Sequence, residues 1–288
     1  ALHCLIPRYN TRMKFTKMHG LGNDYVYVNG FTERVAEPSK LSRVISNRHT
    51  GVGSDGLILV QPSKVADVRM EMYNADGSRG EMCGNGIRCV AKYAVERGLA
   101  PGPKLRIETD AGIKTVECGM EGGKVASVRV DMGLPELSAR AIPTTIAADR
   151  IIDHPLRIGG TEYRITCVSM GNPHAVVFVQ ELHKVDLVEV GPKFENAPEF
   201  PQRINTHFVC VDSPTHVTMR TWERGSGATR ACGTGACAVC VAGVLTKRTA
   251  RAITASLPGG ELRIEWGEDD HVYMTGEAVE VFTGDWPS

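Results

Sequence analysis

Two short cysteine motifs hold the residues of this chain that are best suited to chemistry. They are Cys83-Gly84-Asn85-Gly86 and Cys232-Gly233-Thr234-Gly235, and each is followed by an Ala/Val-rich segment long enough for a helix. The pattern therefore predicts, in both places, a helix with a cysteine at its N-terminus. A thiol there faces backbone N–H groups that lack partners and the positive end of the helix dipole, which favours the thiolate.

Two such thiols could act on one carbon as a matched acid and base. If the two motifs pack face to face, Cys83 and Cys232 oppose each other across one cleft. A thiolate could then remove an α-proton while the other thiol returns a proton to the opposite face. The glycines let a ligand approach the backbone, whose N–H groups suit a carboxylate. The motifs thus predict stereoinversion at a carbon that carries a carboxylate.

The cysteine motifs belong to an internal repeat. Cys83 and Cys232 are 149 residues apart, and so are the pairs Gly22-Asn23 and Gly171-Asn172. Each Gly-Asn pair precedes a strand-like apolar run. Because two unrelated motifs share one offset, which is close to half of the chain length, the sequence predicts two similar halves.

Each half is predicted to contain several strands and one main helix, an α/β (α+β) fold class. Alternating or β-branched residues predict strands at 25–28, 104–108, 114–118, 125–132, 156–168, 175–179, 217–222, 261–266 and 271–274. The helix after Cys83 is expected to end near Arg97-Gly98. The halves are expected at 13–134 and 135–276, with 277–288 as a strand that completes the first half and 1–12 as an N-terminal extension.

The composition argues against two other kinds of function. The chain of 288 residues has 33 basic and 33 acidic side chains, and this zero balance removes the usual basis for binding nucleic acid or a membrane surface. The longest apolar run, Ala236–Leu245, has ten residues and contains a glycine, too little for a membrane span.

The nine cysteines, an odd number, predict reduced thiols in a reducing compartment.

Longer segments around these motifs resemble the signature sequences of the diaminopimelate epimerase family. The resemblance runs from about Met13 to Phe282, nearly the whole chain. The segments that carry it are Lys17-Met18-His19-Gly20-Leu21-Gly22-Asn23-Asp24-Tyr25, Asn74-Ala75-Asp76-Gly77-Ser78, Glu81-Met82-Cys83-Gly84-Asn85-Gly86-Ile87-Arg88-Cys89, Ser169-Met170-Gly171-Asn172-Pro173-His174 and Glu223-Arg224-Gly225-Ser226-Gly227-Ala228-Thr229-Arg230-Ala231-Cys232-Gly233-Thr234-Gly235.

The resemblance implies a fold, an activity and a setting. The fold would be two pseudo-symmetric domains, each a mostly antiparallel curved sheet wrapped round a central helix. The activity would be the interconversion of LL- and meso-2,6-diaminopimelate with a cysteine pair and with neither pyridoxal phosphate nor metal, for lysine and peptidoglycan precursors. The protein would be a homodimer in a bacterial cytoplasm, with the plastid stroma as the alternative compartment.

The resemblance also implies roles for individual residues. Cys83 and Cys232 would be the acid and base, assisted by His174 and Glu223. The α-carboxylate would lie on the backbone of Gly84-Asn85 and Gly233-Thr234. The substrate-holding positions would be Asn23, Asn74, Asn172, Asn205, Glu223 and Arg224. Gly56 departs from the pattern, because some members have a substrate-contacting glutamine at this position.

Two alternatives remain open at the level of sequence. A racemase of another amino acid, such as histidine or a proline derivative, would share the two thiols and differ where the distal end of the substrate binds. A redox or cluster-binding protein would use the spacing Cys232-x4-Cys237-x2-Cys240, which resembles an iron–sulfur motif. We favour core packing for Cys89, Cys237 and Cys240, because a helix would turn them onto its packed face.

Overall fold

The structure is a computed structural model that describes residues 12–287. The expected N-terminal extension, 1–12, lies outside the described residues except for Arg12, which begins the first strand. The elements of the first half are β1 (Arg12–Gly20), β2 (Asn23–Asn29), α1 (Pro38–Ile45), β3 (Gly56–Gln61), β4 (Val68–Asn74), β5 (Arg79–Gly80), α2 (Gly84–Glu96), β6 (Lys104–Thr109), β7 (Gly112–Glu121) and β8 (Lys124–Gly133).

The second half follows in the same order of elements, and a last strand ends the described chain. These elements are β9 (His154–Ile158), β10 (Thr161–Ser169), β11 (Pro173–Phe178), a 3₁₀ turn (Leu182–Lys184), α3 (Leu187–Glu195), β12 (Asn205–Ser213), β13 (His216–Glu223), β14 (Gly227–Thr229), α4 (Gly233–Leu245), β15 (Ala252–Leu257), β16 (Gly260–Trp266), β17 (Val272–Gly276) and β18 (Val279–Pro287).

The pairing of the strands repeats along with their order. In the first half β2 is parallel to β3 and β4 is parallel to β6, and in the second half β11 is parallel to β12 and β13 to β15. The other strand neighbours, such as β3–β4, β6–β7, β12–β13 and β15–β16, are antiparallel. The prediction of a mostly antiparallel sheet with an internal repeat is therefore confirmed.

Two pairings cross between the halves of the sequence. The last strand, β18, returns to pair with β1, and β8 pairs with β17. The first of these is the contact that a strand at 277–288 needs in order to complete the first half. The boundaries of the two domains, 13–134 and 135–276, stay a prediction.

A helix lies within the curve of the sheet in each half. α2 contacts β1, β2, β3, β4, β6, β7 and β8, whereas α4 contacts β10, β11, β12, β15, β16 and β17. In α4 every residue from Gly233 to Gly243 is buried except Thr234. A helix that is apolar on all sides belongs in a core, as α4 does, and α2 is likewise buried from Gly84 to Ala91. The predicted central helices are confirmed.

The end of α2 follows from a glycine. Gly98 has φ +66°, the left-handed conformation that closes a helix, and its N–H donates to the carbonyl of Val95. The N–H of Leu99 then reaches back to the carbonyl of Ala94. The helix thus ends where the sequence predicts, near Arg97-Gly98.

Several features of the fold differ from the sequence-based expectation, and among them β1, β3, β4, β12 and β15 lie outside the predicted strand ranges. The predicted strand at 156–168 is a hairpin, β9 and β10, because Gly159 and Gly160 both have positive φ (+56° and +88°) and form its turn. The short helices α1 and α3 were not expected. In α1, Pro38 occupies the first turn, where its missing N–H is not needed.

No helix within residues 12–287 is long and apolar enough to cross a membrane. The longest, α2 and α4, have 13 residues each.

The buried thiols make the stability of the fold depend on pH. Burial raises the pKa of Cys167 and of Cys240 to about 12 and that of Cys89 to about 11. In the unfolded chain a thiol ionises near pH 8.5. Above about pH 8.5 the folded protein therefore holds more protons than the unfolded chain, so its free energy of unfolding falls as the pH rises.

We expect each such thiol to lower the free energy of unfolding by about 1.4 kcal/mol per pH unit between its unfolded and folded pKa values. Urea unfolding under reducing conditions, at about pH 8 and about pH 10, measures this slope. The variant Cys167→Ala removes one thiol and should have a shallower slope than the parent. Equal slopes in the two proteins would contradict the argument.

Candidate active site

Cys83 is the N-cap of α2. Its backbone is extended (φ −132°, ψ 119°), and its Sγ accepts the N–H of Gly86 at 3.4 Å. An N-cap side chain usually offers an oxygen to this amide, and here a sulfur takes that place. The thiol also donates to Oδ1 of Asn23 at 3.2 Å. Cys83 is thus held between the first turn of α2 and the start of β2.

Cys232 has the equivalent place at the start of α4. Its backbone is also extended (φ −120°, ψ 102°), and its side chain is buried. Its Sγ lies 3.7 Å from Oγ1 of Thr234. The two cysteines therefore occupy matching positions in the repeat, with different polar neighbours.

The N-termini of α2 and α4 lie against each other. A Cβ placed on Gly233 would be 4.0 Å from the Cα of Gly84 and 2.9 Å from Sδ of Met274, and a Cβ on Gly84 would be 3.0 Å from Cε of Met274. A side chain at either glycine would displace this methionine. Asn85 spans the junction, with its Nδ2 at 3.5 Å from the carbonyl oxygen of Ala231. The two N-capping cysteines consequently flank one junction between the halves.

Burial sets the direction of the Cys83 pKa. Desolvation raises it above the ordinary thiol value, the backbone N–H groups of Gly86 and Asn85 and the charge of Arg88 lower it, and the charge of Glu223 raises it. The helix N-terminus alone predicts a lowered pKa. That prediction is wrong for the net shift, because the charged thiolate loses more solvation than the amides return.

Glu223 couples to the second thiol. Burial raises the pKa of Cys232 well above its ordinary value, and the charge of Glu223 adds to this effect. Burial likewise raises the pKa of Glu223, whereas hydrogen bonds from Thr229 and Cys232 lower it. Thr229 donates its hydroxyl to Oε1 of Glu223. The carboxylate of Glu223 therefore favours the protonated thiol of Cys232, and that thiol in turn favours the carboxylate.

Asn23 is fixed by a carboxylate that the sequence analysis did not single out. Its Nδ2 donates to Asp55 at 2.7 Å, so its Oδ1 is the atom that faces Cys83. Asp55 also accepts the backbone N–H of Asp24 and a guanidinium N–H of Arg48. The only signal in the sequence was the position of Asp55 beside Gly56, where this chain departs from its family pattern.

His174 is buried and bonded through both ring nitrogens. Its Nε2 lies 2.9 Å from Oδ1 of Asn172, and its Nδ1 lies 2.9 Å from Nε2 of His207. The Nδ1 of His207 lies 2.9 Å from the hydroxyl of Thr221. Burial lowers the pKa of His174 well below its ordinary value and that of His207 to about 3. The row is therefore a chain of neutral groups near neutral pH, and its hydrogen bonds define the tautomer of each ring.

His207 was missed by the sequence analysis. The resemblance drew attention to Asn205, two residues before it, and not to the histidine itself. The contact with His174 arises because β11 and β12 are parallel neighbours. A contact of that kind across 33 residues leaves no local pattern in the sequence.

Three of the expected substrate-holding side chains contact neighbouring protein groups. Asn205 donates from its Nδ2 to the carbonyl of Pro173, and its Oδ1 accepts the backbone N–H of Arg224. Both polar atoms of its side chain are therefore bonded to backbone groups. The guanidinium of Arg224 donates to a backbone carbonyl at 2.9 Å. Asn74 donates to Ser78 within its own turn. These residues lie at the ends of β4, β12 and β13. Asn23 contacts Cys83, Glu223 is coupled to Cys232, and the charge of Arg224 acts on His174, whose ring lies within 4.8 Å of Cys232.

One cluster of side chains has the composition of a metal site. The ligand atoms of His174, His207 and Cys232 all lie within 4.8 Å of one another. Two imidazole nitrogens on one tetrahedral zinc lie about 3.3 Å apart, given bonds of about 2.0–2.1 Å. The 2.9 Å between the two rings is a hydrogen-bond distance instead. Cys237 and Cys240 are buried residues of α4, which agrees with core packing.

Comparison with known proteins identifies the family. The family model described as diaminopimelate epimerase matches residues 15–138 and 166–281. A diaminopimelate epimerase of Desulfovibrio desulfuricans is 53% identical over 281 residues, which cover 95% of this chain and 98% of that protein. The chain belongs to the diaminopimelate epimerase family. A diaminopimelate epimerase of the archaeon Methanococcus maripaludis is 49% identical over 95% of this chain and 99% of that one.

Solved structures extend the likeness of the fold beyond the diaminopimelate epimerase family. A phenazine biosynthesis protein of the PhzF family from Bacillus anthracis superposes with a TM-score of 0.68 at 18% identity, over 96% of this chain and 99% of that one. A hydroxyproline epimerase from Agrobacterium vitis gives 0.66 at 16% identity, over 95% and 90% of the two chains. At these identities the likeness concerns the fold alone.

Gly56, which the sequence analysis marked as a departure from the resemblance, has no room for a side chain. A Cβ at this position would be 2.1 Å from the carbonyl oxygen of Tyr73 and 2.9 Å from the ring of Tyr25. No side chain fits on the backbone as it stands. A glutamine could occupy this position only if the backbone moved.

The packing of His207 under α4 gives a test of this site. A Cβ on Gly235 would be 2.2 Å from Cε1 of His207. We expect Gly235→Ala to lower the free energy of unfolding by about 1–3 kcal/mol, because the ring must shift and strain its bond with His174. Urea unfolding measures the loss.

The matched background is His207→Ala, which removes the ring. In that background Gly235→Ala should cost clearly less, because the new methyl group has room and alanine favours helix over glycine by about 1 kcal/mol. An equal cost in both backgrounds would show that the contact with His207 does not govern this glycine.

Proposed function

We propose that this protein interconverts LL- and meso-2,6-diaminopimelate with Cys83 and Cys232 as a two-base pair. The observation that carries the proposal is the junction of α2 and α4, because both cysteines cap helices whose first residues, Gly84 and Gly233, are in close approach. The relatives named diaminopimelate epimerase, at about half identity over nearly the full chain, support the substrate. The likeness to a hydroxyproline epimerase is one of fold and does not favour that substrate.

In the proposed reaction one thiolate removes the α-proton and becomes a thiol. The electron pair left on carbon delocalises into the α-carboxylate, and the other thiol gives its proton to the opposite face and becomes the thiolate. The enzyme thus ends with its single negative charge on the other sulfur. The α-carboxylate would lie on the N–H groups of Gly84-Asn85 and Gly233-Thr234, where two helix N-termini stabilise the charge that develops.

The polar neighbours of the thiols have proposed roles that fit their contacts. Asn23 orients the Cys83 thiol through its Oδ1, and Glu223 shares a proton with Cys232. His174 holds the oxygen of Asn172, which leaves the amide N–H groups of Asn172 for the substrate.

Arg224 would bind the distal carboxylate through its planar guanidinium once that carboxylate replaces its carbonyl partner. The full proposed substrate set is Asn23, Asn74, Gly84, Asn85, Asn172, Asn205, Glu223, Arg224, Gly233 and Thr234.

We further propose a homodimer and a reducing compartment. Within the described residues β18 pairs only with β1, and it exposes Val281 and Phe282 on its surface. An exposed apolar edge of a sheet suits a second copy of the chain. The eight described cysteines are free thiols, which supports the bacterial cytoplasm, with the plastid stroma as the alternative.

The dimer can be measured by sedimentation. We expect the protein to sediment as a dimer at micromolar concentration, and Phe282→Asp to shift it toward the monomer because a buried carboxylate would have no partner. The matched control is Val188→Asp, which changes an exposed apolar residue of α3 and should leave the dimer intact. A monomeric parent protein would contradict the proposal.

The activity is tested by incubating the purified protein with LL-diaminopimelate and separating the stereoisomers. We expect meso-diaminopimelate to form, with no inversion of histidine or of hydroxyproline in parallel incubations. Cys83→Ala and Cys232→Ala should each lower the rate by about 10²–10⁴-fold or more, because each removes an acid–base group.

The matched control is Cys210→Ala, which removes a thiol of β12 that contacts the carbonyl of Gln180. Its activity should equal that of the parent, and the circular dichroism of all three variants should be unchanged. A Cys232→Ala protein that keeps most of its activity would overturn the two-base proposal.

A further inference from the structure

Arg88 is a fully buried cation that forms no ion pair within residues 12–287. It lies on α2, five residues after Cys83, and has no exposed surface. Its Nε donates to the carbonyl of Glu277 at 3.0 Å, and its Nη1 donates to the carbonyl of Gly84 at 3.1 Å and approaches Sδ of Met274 at 3.8 Å. Within residues 12–287 its Nη2 has no hydrogen-bond partner.

The burial of this guanidinium lowers the free energy of unfolding, so the packing of the core does not explain it. A guanidinium remains protonated under all ordinary conditions, and a buried charge is strongly unfavourable unless it is paired. The three acceptors around Arg88 are two carbonyl oxygens and a thioether, and none of them is charged. A negative charge in the vicinity would compensate the guanidinium.

The position of Arg88 places it behind both helix N-termini. Met274, which its Nη1 approaches, also lies against Gly84 of α2 and Gly233 of α4. The backbone at Gly20 packs against the other side of the guanidinium, since a Cβ on Gly20 would be 2.8 Å from Nη2 of Arg88. The guanidinium is therefore shielded from water at the junction that the two cysteines flank.

The titratable groups around Arg88 leave few candidates for the anion. They are Cys83, Cys89, Tyr27 and Glu277. Burial raises the pKa of Cys89 to about 11 and that of Tyr27 well above its ordinary value, so both are neutral near pH 7. Glu277 offers Arg88 its backbone carbonyl, and its carboxylate, on an exposed residue, favours the charged guanidinium without forming an ion pair with it.

Cys83 is the group among them that the proposed reaction ionises, and because burial raises its pKa as well, its thiolate needs a nearby positive charge. Glu223 also faces Cys83 and disfavours its thiolate, whereas Arg88 favours it. Tyr25 of β2 faces the same thiol, and its pKa is raised well above the ordinary value by burial, so that it is neutral. On α4, Arg88 also acts on Cys237, whose pKa is raised by burial.

We propose that Arg88 is the counter-ion of the single negative charge that Cys83 and Cys232 share. The inference rests on the proposed function, in which one thiol is ionised at every stage and the charge moves from one sulfur to the other. A fixed cation behind both helix N-termini balances this charge on either side of the substrate carbon. Arg88 is a positioning residue in this scheme, because it acts through the thiols and touches no reacting atom.

The test measures the nucleophilicity of Cys83 without substrate. The rate of its alkylation by iodoacetamide is followed by peptide mass spectrometry across a pH series, in the parent, Arg88→Gln, Arg88→Met and Arg88→Lys. At neutral pH we expect Cys83 in the two neutral variants to react at about one tenth of the parental rate or more slowly, because its thiolate fraction falls. A tenfold loss is equivalent to about 1.4 kcal/mol. Arg88→Lys, which keeps the charge, should stay within about threefold of the parent.

Two controls accompany the series. Cys210, on β12, reports in the same digest whether alkylation has changed in general. Arg129→Met removes a half-exposed arginine of β8 and should leave the reactivity of Cys83 unchanged. Thermal unfolding of each variant verifies that it folds.

The outcomes separate charge from packing. Wild-type reactivity in Arg88→Gln overturns the proposal, and so does an Arg88→Lys protein that reacts as slowly as the neutral variants, since only the guanidinium geometry would then matter. If the neutral variants do not fold, Arg88→Lys decides alone: parental reactivity supports the proposal, and a tenfold loss overturns it. The proposed function is judged separately, because Cys83→Ala and Cys232→Ala test it by turnover.

Discussion

The close approach of two helix N-termini is the constraint on which the rest of the site depends. Each N-terminus carries about half a positive charge, and α2 and α4 bring theirs together around Met274, with glycine as the first residue of both helices. The buried guanidinium of Arg88 adds a third positive group. Like charges at this junction repel, so the arrangement is most stable when an anion is present. The pattern suits a thiolate and a substrate carboxylate.

The duplicated sheet explains how this junction is assembled. In each half a parallel pair of strands, β2–β3 and β11–β12, precedes the cysteine helix, and a second parallel pair, β4–β6 and β13–β15, has one strand before the helix and one after it. The pairing of β8 with β17 then joins the halves. Equivalent positions of the repeat face the same junction, as Cys83 and Cys232 do. The symmetry stops at the side chains, because Cys83 contacts Asn23 and Cys232 is coupled to Glu223.

The sequence could predict what depends on local pattern and on repetition. The shared offset of 149 residues indicated the two halves, and the Ala/Val-rich runs indicated the central helices. It could not predict contacts between distant strands, which is why His207, Asp55 and the orphaned guanidinium of Arg88 emerged only from the fold. The direction of the thiol pKa values was wrong for a related reason, since burial is a property of the assembled core.

The two thiols are not equivalent, and their surroundings indicate where the shared charge resides before substrate binds. Around Cys83 the helix amides and Arg88 oppose the effect of burial on the pKa. Around Cys232 the charge of Glu223 adds to burial, and the pKa is raised well above the ordinary value. The surroundings of Cys83 therefore oppose its ionisation less than those of Cys232 do. In the proposed two-base scheme this difference makes Cys83 the thiol that ionises more readily, whereas Glu223 keeps the proton of Cys232 in place.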